Sequence, residues 1–536
     1  MVEVARWTVH EIAVESARTY ADPYWDVDVE VRLIAPDSSA RTVEAFWDGG
    51  RTWRARFSPD QVGEWRWTFQ CSDTADPGLN GQEGSLCCVP YAGDNPLYQR
   101  GPTQLSQDRR RLVHADGTPF FWLGDTAWNG VLRAQAGDWD RYLGARRQQG
   151  FTAIQFVSTQ WRGCSQDPAG ETAFTGTQRI RLHPEFFHRL DAKVAAINAH
   201  GLVAAPVLLW ALQESDPGQA LSEKDAIRLA RYLVARWGAH QVIWFLGGDG
   251  HYEGERSERW KRIGRAVFGE RHDRLVTMHP CGQTWVGEEF RMEPWFDLIG
   301  YQSGHGSSTE HLRWLVEGPP AREWSREPAL PVLNLEPNYE THPSYHIAHE
   351  FTDREVRRAS YWSLLVSPAA GVTFGHNAIW VWAESPEVPE GHGRIGLVGP
   401  WHQGVHTPGA GSMAVLRRFF DALPWWSLYP APDMVIEQPG GADPRCFVAA
   451  AVTADLTCAV VYLPQGGEVR LDLGALEPSL PVRWFDPREG TWIDTGRAEA
   501  KAISLTAPGD DDWVLCVGRF DRGGRVVEHT GERPKA

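Results

Sequence analysis

V-I-W-F-L-G-G-D, residues 242–249, is the stretch that decides how this chain folds. An apolar run ends abruptly on two glycines and a carboxylate. A strand buried on both faces reads as continuous hydrophobic sequence, so Asp249 stands where a buried sheet opens into a loop. P-V-L-N-L-E-P, residues 331–337, repeats the pattern with Glu336. Six more runs of this kind flank the two: F-F-W-L-G (120–124), F-T-A-I-Q-F-V-S (151–158), L-V-A-A-P-V-L-L-W (202–210), L-V-T-M-H (275–279), D-L-I-G-Y-Q (297–302) and G-V-T-F-G (371–375). Between them lie stretches with apolar residues at helical spacing, such as D-W-D-R-Y-L-G-A-R-R-Q-Q-G (138–150) and K-D-A-I-R-L-A-R-Y-L-V-A-R-W-G (224–238), often closed by glycine. Eight strand–helix units over residues 96–425 predict an α/β chain built on a (β/α)8 TIM barrel.

The flanks read differently. Residues 1–92 alternate as strands, in D-V-D-V-E-V-R-L (26–33), F-W-D-G-G-R-T-W-R-A-R-F (46–57) and V-G-E-W-R-W-T-F (62–69), and predict an N-terminal β-sandwich. After a closing helix that ends near Trp425, short strands return in C-F-V-A-A-A-V, C-A-V-V-Y-L, V-R-L-D-L, V-R-W-F-D-P and D-W-V-L-C-V-G, predicting a C-terminal β-sandwich over residues 426–525. The last dozen residues, R-V-V-E-H-T-G-E-R-P-K-A, read as a frayed or crossing tail.

Composition narrows the function. A net charge of -16 argues against a nucleic-acid backbone as partner, which would need clustered Lys and Arg. No apolar run is long enough to span a membrane. A neutral or weakly charged substrate fits better, and a homo-oligomer is compatible with this composition. The start, M-V-E-V-A-R-W-T-V-H-E, has neither the basic residues nor the apolar stretch of a secretory signal, which predicts a cytoplasmic protein. The eight cysteines lack C-x-x-C spacing and predict reduced thiols rather than a disulfide frame or a zinc site. The 27 tryptophans serve a core or the flat faces on which sugar rings stack; composition does not separate the two uses.

The barrel rim supplies the chemistry. In such a barrel the C-terminal ends of the strands carry catalysis, and the fourth and seventh strands face each other across it. Either acid alone would more often cap a helix or pair with arginine; as a pair, Asp249 and Glu336 are the equipment for cleaving a glycosidic bond. Asp249, behind two glycines, is expected to be partly desolvated, with a raised pKa suited to a proton donor. Glu336 is expected to stay ionised as nucleophile. A retaining double displacement puts the two carboxyls roughly 5–6 Å apart.

The pieces F-F-W-L-G-D-T-A-W (120–128), G-F-T-A-I-Q (150–155), V-I-W-F-L-G-G-D (242–249) and N-L-E-P-N-Y-E (334–340) resemble the apiosidase-like glycoside hydrolases. These are related to the large barrel clan with its acid/base on strand four and its nucleophile on strand seven. The resemblance extends over about residues 1–425 and more weakly over the C-terminal sandwich. It implies a retaining glycoside hydrolase without cofactor, with Asp249 as acid/base and Glu336 as nucleophile. A plant-type oligosaccharide or glycoside is the implied substrate, a furanoside such as an apioside being one form. The aspartate departs from the Asn-Glu usual in the wider clan and reaches one methylene less far.

Other rim residues are candidates for substrate contact, each with packing or capping as the alternative: Asp125 and Trp128 after strand one, Gln155 and Trp161 around strand two, Trp210 at strand three and His279 at strand five. Tyr301, Gln302 and His305 follow strand six, from which a tyrosine or histidine can hydrogen-bond the nucleophile. Asn334 and Tyr339 flank Glu336, and His376, Asn377, Trp380 and Trp382 follow strand eight. His114 and His183 read as satisfied core residues rather than ligands. Two rivals stand beside this reading. One is a metal-dependent hydrolase using His251, His279, His305, His376, Asp125 and Asp249, disfavoured because neither H-x-H on strand one nor H-E-x-x-H occurs, so no metal is expected. The other is a carbohydrate-binding protein with a retired barrel.

Overall fold

The computed structural model describes residues 1–270 and 272–519; the tail read at 525–536 lies outside them. Eight parallel strands form the central sheet: β1 (Trp122–Thr126), β2 (Ala153–Val157), β3 (Val203–Leu209), β4 (Trp244–Gly247), β5 (Val276–Thr277), β6 (Ile299–Tyr301), β7 (Val332–Asn334) and β8 (Gly371–Phe374). Their order is β5-β4-β3-β2-β1-β8-β7-β6, so β1 pairs with β8 and the sheet curls into a near-barrel. At the β5–β6 seam a side chain replaces part of the ladder. Thr277 Oγ1 donates to the Leu298 carbonyl at 2.8 Å and accepts from the Gly300 amide at 3.1 Å. Gly300 has no room for a side chain, since a Cβ would lie 2.4 Å from Leu335 Cδ1 inside the barrel and 2.5 Å from the Met278 carbonyl.

The first barrel strand begins later than the sequence pattern suggests. Pro119–Phe120 belongs to a small antiparallel sheet with Leu112–His114 and Thr103–Leu105, and the barrel strand starts at Trp122. Phe121 between them packs on Phe420 and Trp425 of the closing helix region. Helices cover the sheet with the expected caps: Ser222 accepts from the Asp225 amide at the start of Glu223–Trp237, and Thr352 with Glu355 forms a capping box on Asp353–Leu365.

Both ends of the chain are β-rich. The N-terminal part has a five-stranded sheet facing a three-stranded one, closed over Val31, Leu33, Ala55, Trp65 and Phe69. Buried Arg236, on a barrel helix, ties this part down by pairing with Asp48 at 2.8 Å while also pairing with Asp191 at 2.8 Å. The C-terminal part has a six-stranded and a two-stranded sheet. Arg357 of a barrel helix grips it through a buried fork on Asp512, two bonds of 3.0 Å. Two of its strands, Leu428–Pro430 and Thr491–Ala498, carry no clear apolar pattern, Thr491–Ala498 being mostly exposed along its length, whereas Ala502–Thr506 alternates around half-buried Ile503 and Leu505. All eight cysteines are free thiols. Among the described residues no helix is long and apolar enough to cross a membrane.

Candidate active site

The strand ends deliver Asp249 and Glu336 to one place. One carboxylate oxygen of each and one ring nitrogen of His279 all lie within 4.8 Å of one another. The two side chains keep 15% and 10% exposure, so solvent reaches an otherwise buried pair. Asp249 is held by its backbone neighbours: the Gly248 amide donates to Leu209 at 2.9 Å, the Asp249 carbonyl accepts from Ala211 at 3.1 Å, and Tyr252 donates to the Gly248 carbonyl. A Cβ at Gly248 would fall 2.4 Å from the Trp210 ring, which is why glycine precedes the acid. The Glu336 carbonyl accepts from Gly304 at 3.0 Å and links the β7 end to the loop after β6.

The partners of the two acids differ in charge. Gln302 Nε2 donates to Asp249 Oδ1, and the Arg162 guanidinium sits 3.3 Å from Oδ2. Glu336 Oε2 accepts from the Tyr339 hydroxyl at 2.5 Å, and Oε1 lies 3.0 Å from His305 Nε2. His305 Nδ1 accepts the Tyr339 amide at 3.3 Å, which assigns the ring proton to Nε2 and makes it a donor to Glu336. His279 lies between the two acids, with Nδ1 3.5 Å from Asp249 Oδ1 and 3.3 Å from Gln302 Nε2, and Nε2 3.7 Å from Glu336.

Electrostatics corrects the expected division of labour. Burial pushes Glu336 up to about 7, and the neighbouring Asp249 charge adds to the rise. Burial also opposes ionisation of Asp249, but His279, Arg162 and Gln302 outweigh it and hold the carboxyl below its usual range. The two directions make Glu336 the more basic carboxyl of the pair, because His279 and Arg162 act most strongly on Asp249. Burial pushes His305 down to about 3, so it stays a neutral donor.

The rim residues divide into two groups. Trp128 packs edge-on against Trp210 at 5.2 Å and His279 at 5.0 Å, and Trp161 lies 4.4 Å from Trp210, so these rings form one wall beside the acids. Trp380 joins it through His392, and the His392 ring also meets Trp161. Gln155 crosses the barrel, donating to Thr126 Oγ1 at 2.8 Å and to the Leu335 carbonyl at 3.0 Å. Gln302, His305 and Tyr339 touch the acids directly.

Six candidates turn elsewhere, which corrects their expected substrate contact. Asp125 faces the helix layer, where buried Arg146 Nε and Tyr142 OH bind it at 2.5 and 2.6 Å. Tyr301 packs between Trp285 and Trp314 outside the barrel. Its cross-strand partner Asn334 bonds Ser303 and Ser363 there. Trp382 stacks on Trp401 at 4.9 Å. His376 caps the short helix Asn377–Val381 through the Ala378 amide at 3.1 Å, and Asn377 ties Trp380 to the Thr341 carbonyl. The rival metal set does not assemble, since Asp125 and His376 are committed to these contacts.

Sequence reasoning missed Arg162, Thr126 and Asn129, the last of which accepts from Trp161 Nε1 at 2.8 Å. Arg162 directly follows a candidate tryptophan, but nothing local says that it reaches the β4 end. Thr126 alternates with Asp125, but alternation alone does not say which of the two points inward.

A buried carboxylate pair at the rim of a near-barrel, walled by indoles, defines a glycoside hydrolase of the barrel type. The comparisons agree. Residues 106–427 match the model described as the apiosidase-like catalytic domain, more than half of the chain, and the chain belongs to that family. Residues 3–72 match a model described only as a domain of unknown function, and residues 429–518 match one described as a proposed collagen-binding domain of a collagenase. Among solved structures, a glycoside hydrolase family 5 protein from Bacteroides vulgatus ATCC 8482 shares 22% identity over 80% of this chain and 95% of its own, with a TM-score of 0.69. A proposed glycoside hydrolase from the same organism shares 18% identity over 97% of this chain and 100% of its own, with a TM-score of 0.72. At such identities the likeness concerns the fold. No curated protein matches the chain.

Proposed function

We propose that this glycoside hydrolase works with retention of configuration on a small plant-type glycoside, an apioside or related furanoside included. The observation that carries the mechanism is the carboxylate separation. One oxygen of Asp249 and one of Glu336 lie no more than 4.8 Å apart, which suits the roughly 5–5.5 Å spacing of retaining enzymes better than the 6.5–9.5 Å that leaves room for a water in inverting ones. Glu336, supported by the neutral donors His305 and Tyr339, attacks the anomeric carbon, and Asp249 protonates the departing oxygen and then activates water. For this the shared proton must pass to Asp249. The Arg162 contact is long at 3.3 Å, and a sugar that displaces it removes the charge that keeps Asp249 ionised. The buried indoles of Trp128, Trp161 and Trp210 suit the apolar face of the glycone. The test is a panel of aryl glycosides, furanosides included, with the anomer followed by NMR at early times. Retained product supports the reading; inverted product, or no turnover of any glycoside, sinks it.

A metal at the same place is the reading to separate from this one, because Asp249, His279 and Glu336 converge. Turnover unchanged by a chelator and by added divalent ions is the expected result.

A further inference from the structure

The rings around the catalytic pair are buried, with one exception. Among the described residues only two Phe, Tyr or Trp side chains stand well out in solvent, Tyr345 at 66% and Trp426 at 43%. Trp426 lies beside Trp425, where the closing helix region meets the C-terminal sheets. Tyr345 lies at the active site, on the loop after β7. Its ring meets His305 edge-on at 5.7 Å and His342 at 5.5 Å, and His305 is the residue that bonds Glu336.

The loop does not let that ring tuck away. The Tyr345 amide donates to the His305 carbonyl at 3.0 Å, and the Ser344 amide donates to His349 at 2.7 Å. Ser344 and Ser307 hydroxyls bond at 2.6 Å, and His346 Nδ1 accepts from the Ser307 amide at 3.1 Å. The loops after β6 and β7 are thus clipped into one ledge that presents the phenol ring to water. Exposed Ile347 extends its apolar edge. A ring held out in this way forgoes burial of its apolar surface, and it sits opposite the closed indole wall. In a retaining site the glycone must stay enclosed through two steps, while the leaving group must depart through the open side.

We propose that Tyr345 is the leaving-group platform of the site, selecting glycosides whose departing part presents a flat ring, either a second sugar or an aromatic alcohol. The proposal rests on the glycoside hydrolase reading above. A stacked ring contributes about 0.5–1.5 kcal/mol, which corresponds to about 3–10-fold in affinity.

The test uses the full chain and two substrates with the same glycone, one a methyl glycoside and one carrying a ring-bearing leaving group. Tyr345→Ala is expected to lower kcat/KM on the ring-bearing substrate by about 3–10-fold, mostly through KM. It should leave the methyl glycoside within about twofold, and Tyr345→Phe should restore most of the loss, since the ring and not the hydroxyl stacks. Equal losses on both substrates, or none on either, overturn the proposal while the enzyme reading stands. A wild-type chain inert on both substrates and on the wider panel overturns that reading and this proposal with it. Tyr345 is a surface residue, so neither variant threatens the fold.

Discussion

At the end of β4, Asp249 faces a guanidinium and a primary amide; at the end of β7, Glu336 faces a neutral imidazole and a phenol. Both acids are buried to a similar degree, and both accept two hydrogen bonds or ion-pair contacts. Burial alone would push both up. The difference is the closer hold of His279 and the Arg162 guanidinium on Asp249, which makes it the more acidic of the two. Hydrogen-bond count is therefore a poor guide to protonation in such a pair, and partner charge a good one. Titration of the two belongs to the pair as a unit.

The comparison breaks most visibly at the nucleophile. Glu336→Ala is expected to lower kcat/KM by about 10⁴-fold or more while the chain stays folded by circular dichroism. Near wild-type turnover on a verified substrate would remove Glu336 from its role. Asp249→Ala should cost about 10²–10⁴-fold on a glycoside with a poor leaving group and far less on a nitrophenyl glycoside, whose phenolate needs little protonation. Added azide should rescue part of that activity by attacking the glycosyl-enzyme without base assistance. Equal losses on both substrates without rescue would assign proton donation to another rim residue.

Smaller effects sharpen the charge argument. With Glu336 raised to about 7, the pair loses its last proton near that pH, so kcat/KM is expected to fall on the alkaline side. Arg162→Gln removes the cation beside Asp249 and should move that limb to higher pH; an unmoved limb would mean that Arg162 does not govern the pair. Stability should follow the same proton. The folded chain holds it at Glu336 between the ordinary 4.5 and about 7, while the unfolded chain has released it, so folding stability is lost as pH rises through that window. Glu336→Gln should accordingly melt a few degrees above wild type at pH 8, with the gap closing towards pH 4. A variant that melts lower at pH 8 would contradict the raised pKa.

The strands were legible because each barrel strand is a short apolar run between loops, and the two acids were legible because they interrupt such runs. Thr491–Ala498 was not, since an exposed strand has no apolar face to announce it. Asp125 and Thr126 illustrate a second limit. In a strand buried on both faces, alternation separates two sets of side chains without saying which set points inward, and the inward one here is Thr126.

The sequence by itself determined eight barrel strands, their order of appearance and a carboxylate at the end of the fourth and seventh, because burial and strand length are written in local apolarity. Tertiary structure alone decided that Tyr301, Asn334 and Trp382 face the helices and that Arg162 reaches Asp249 from another loop. It also decided which acid is the more basic. Those outcomes depend on the approach of groups far apart in the chain, and Coulomb and desolvation energies vary with distances that no local pattern encodes.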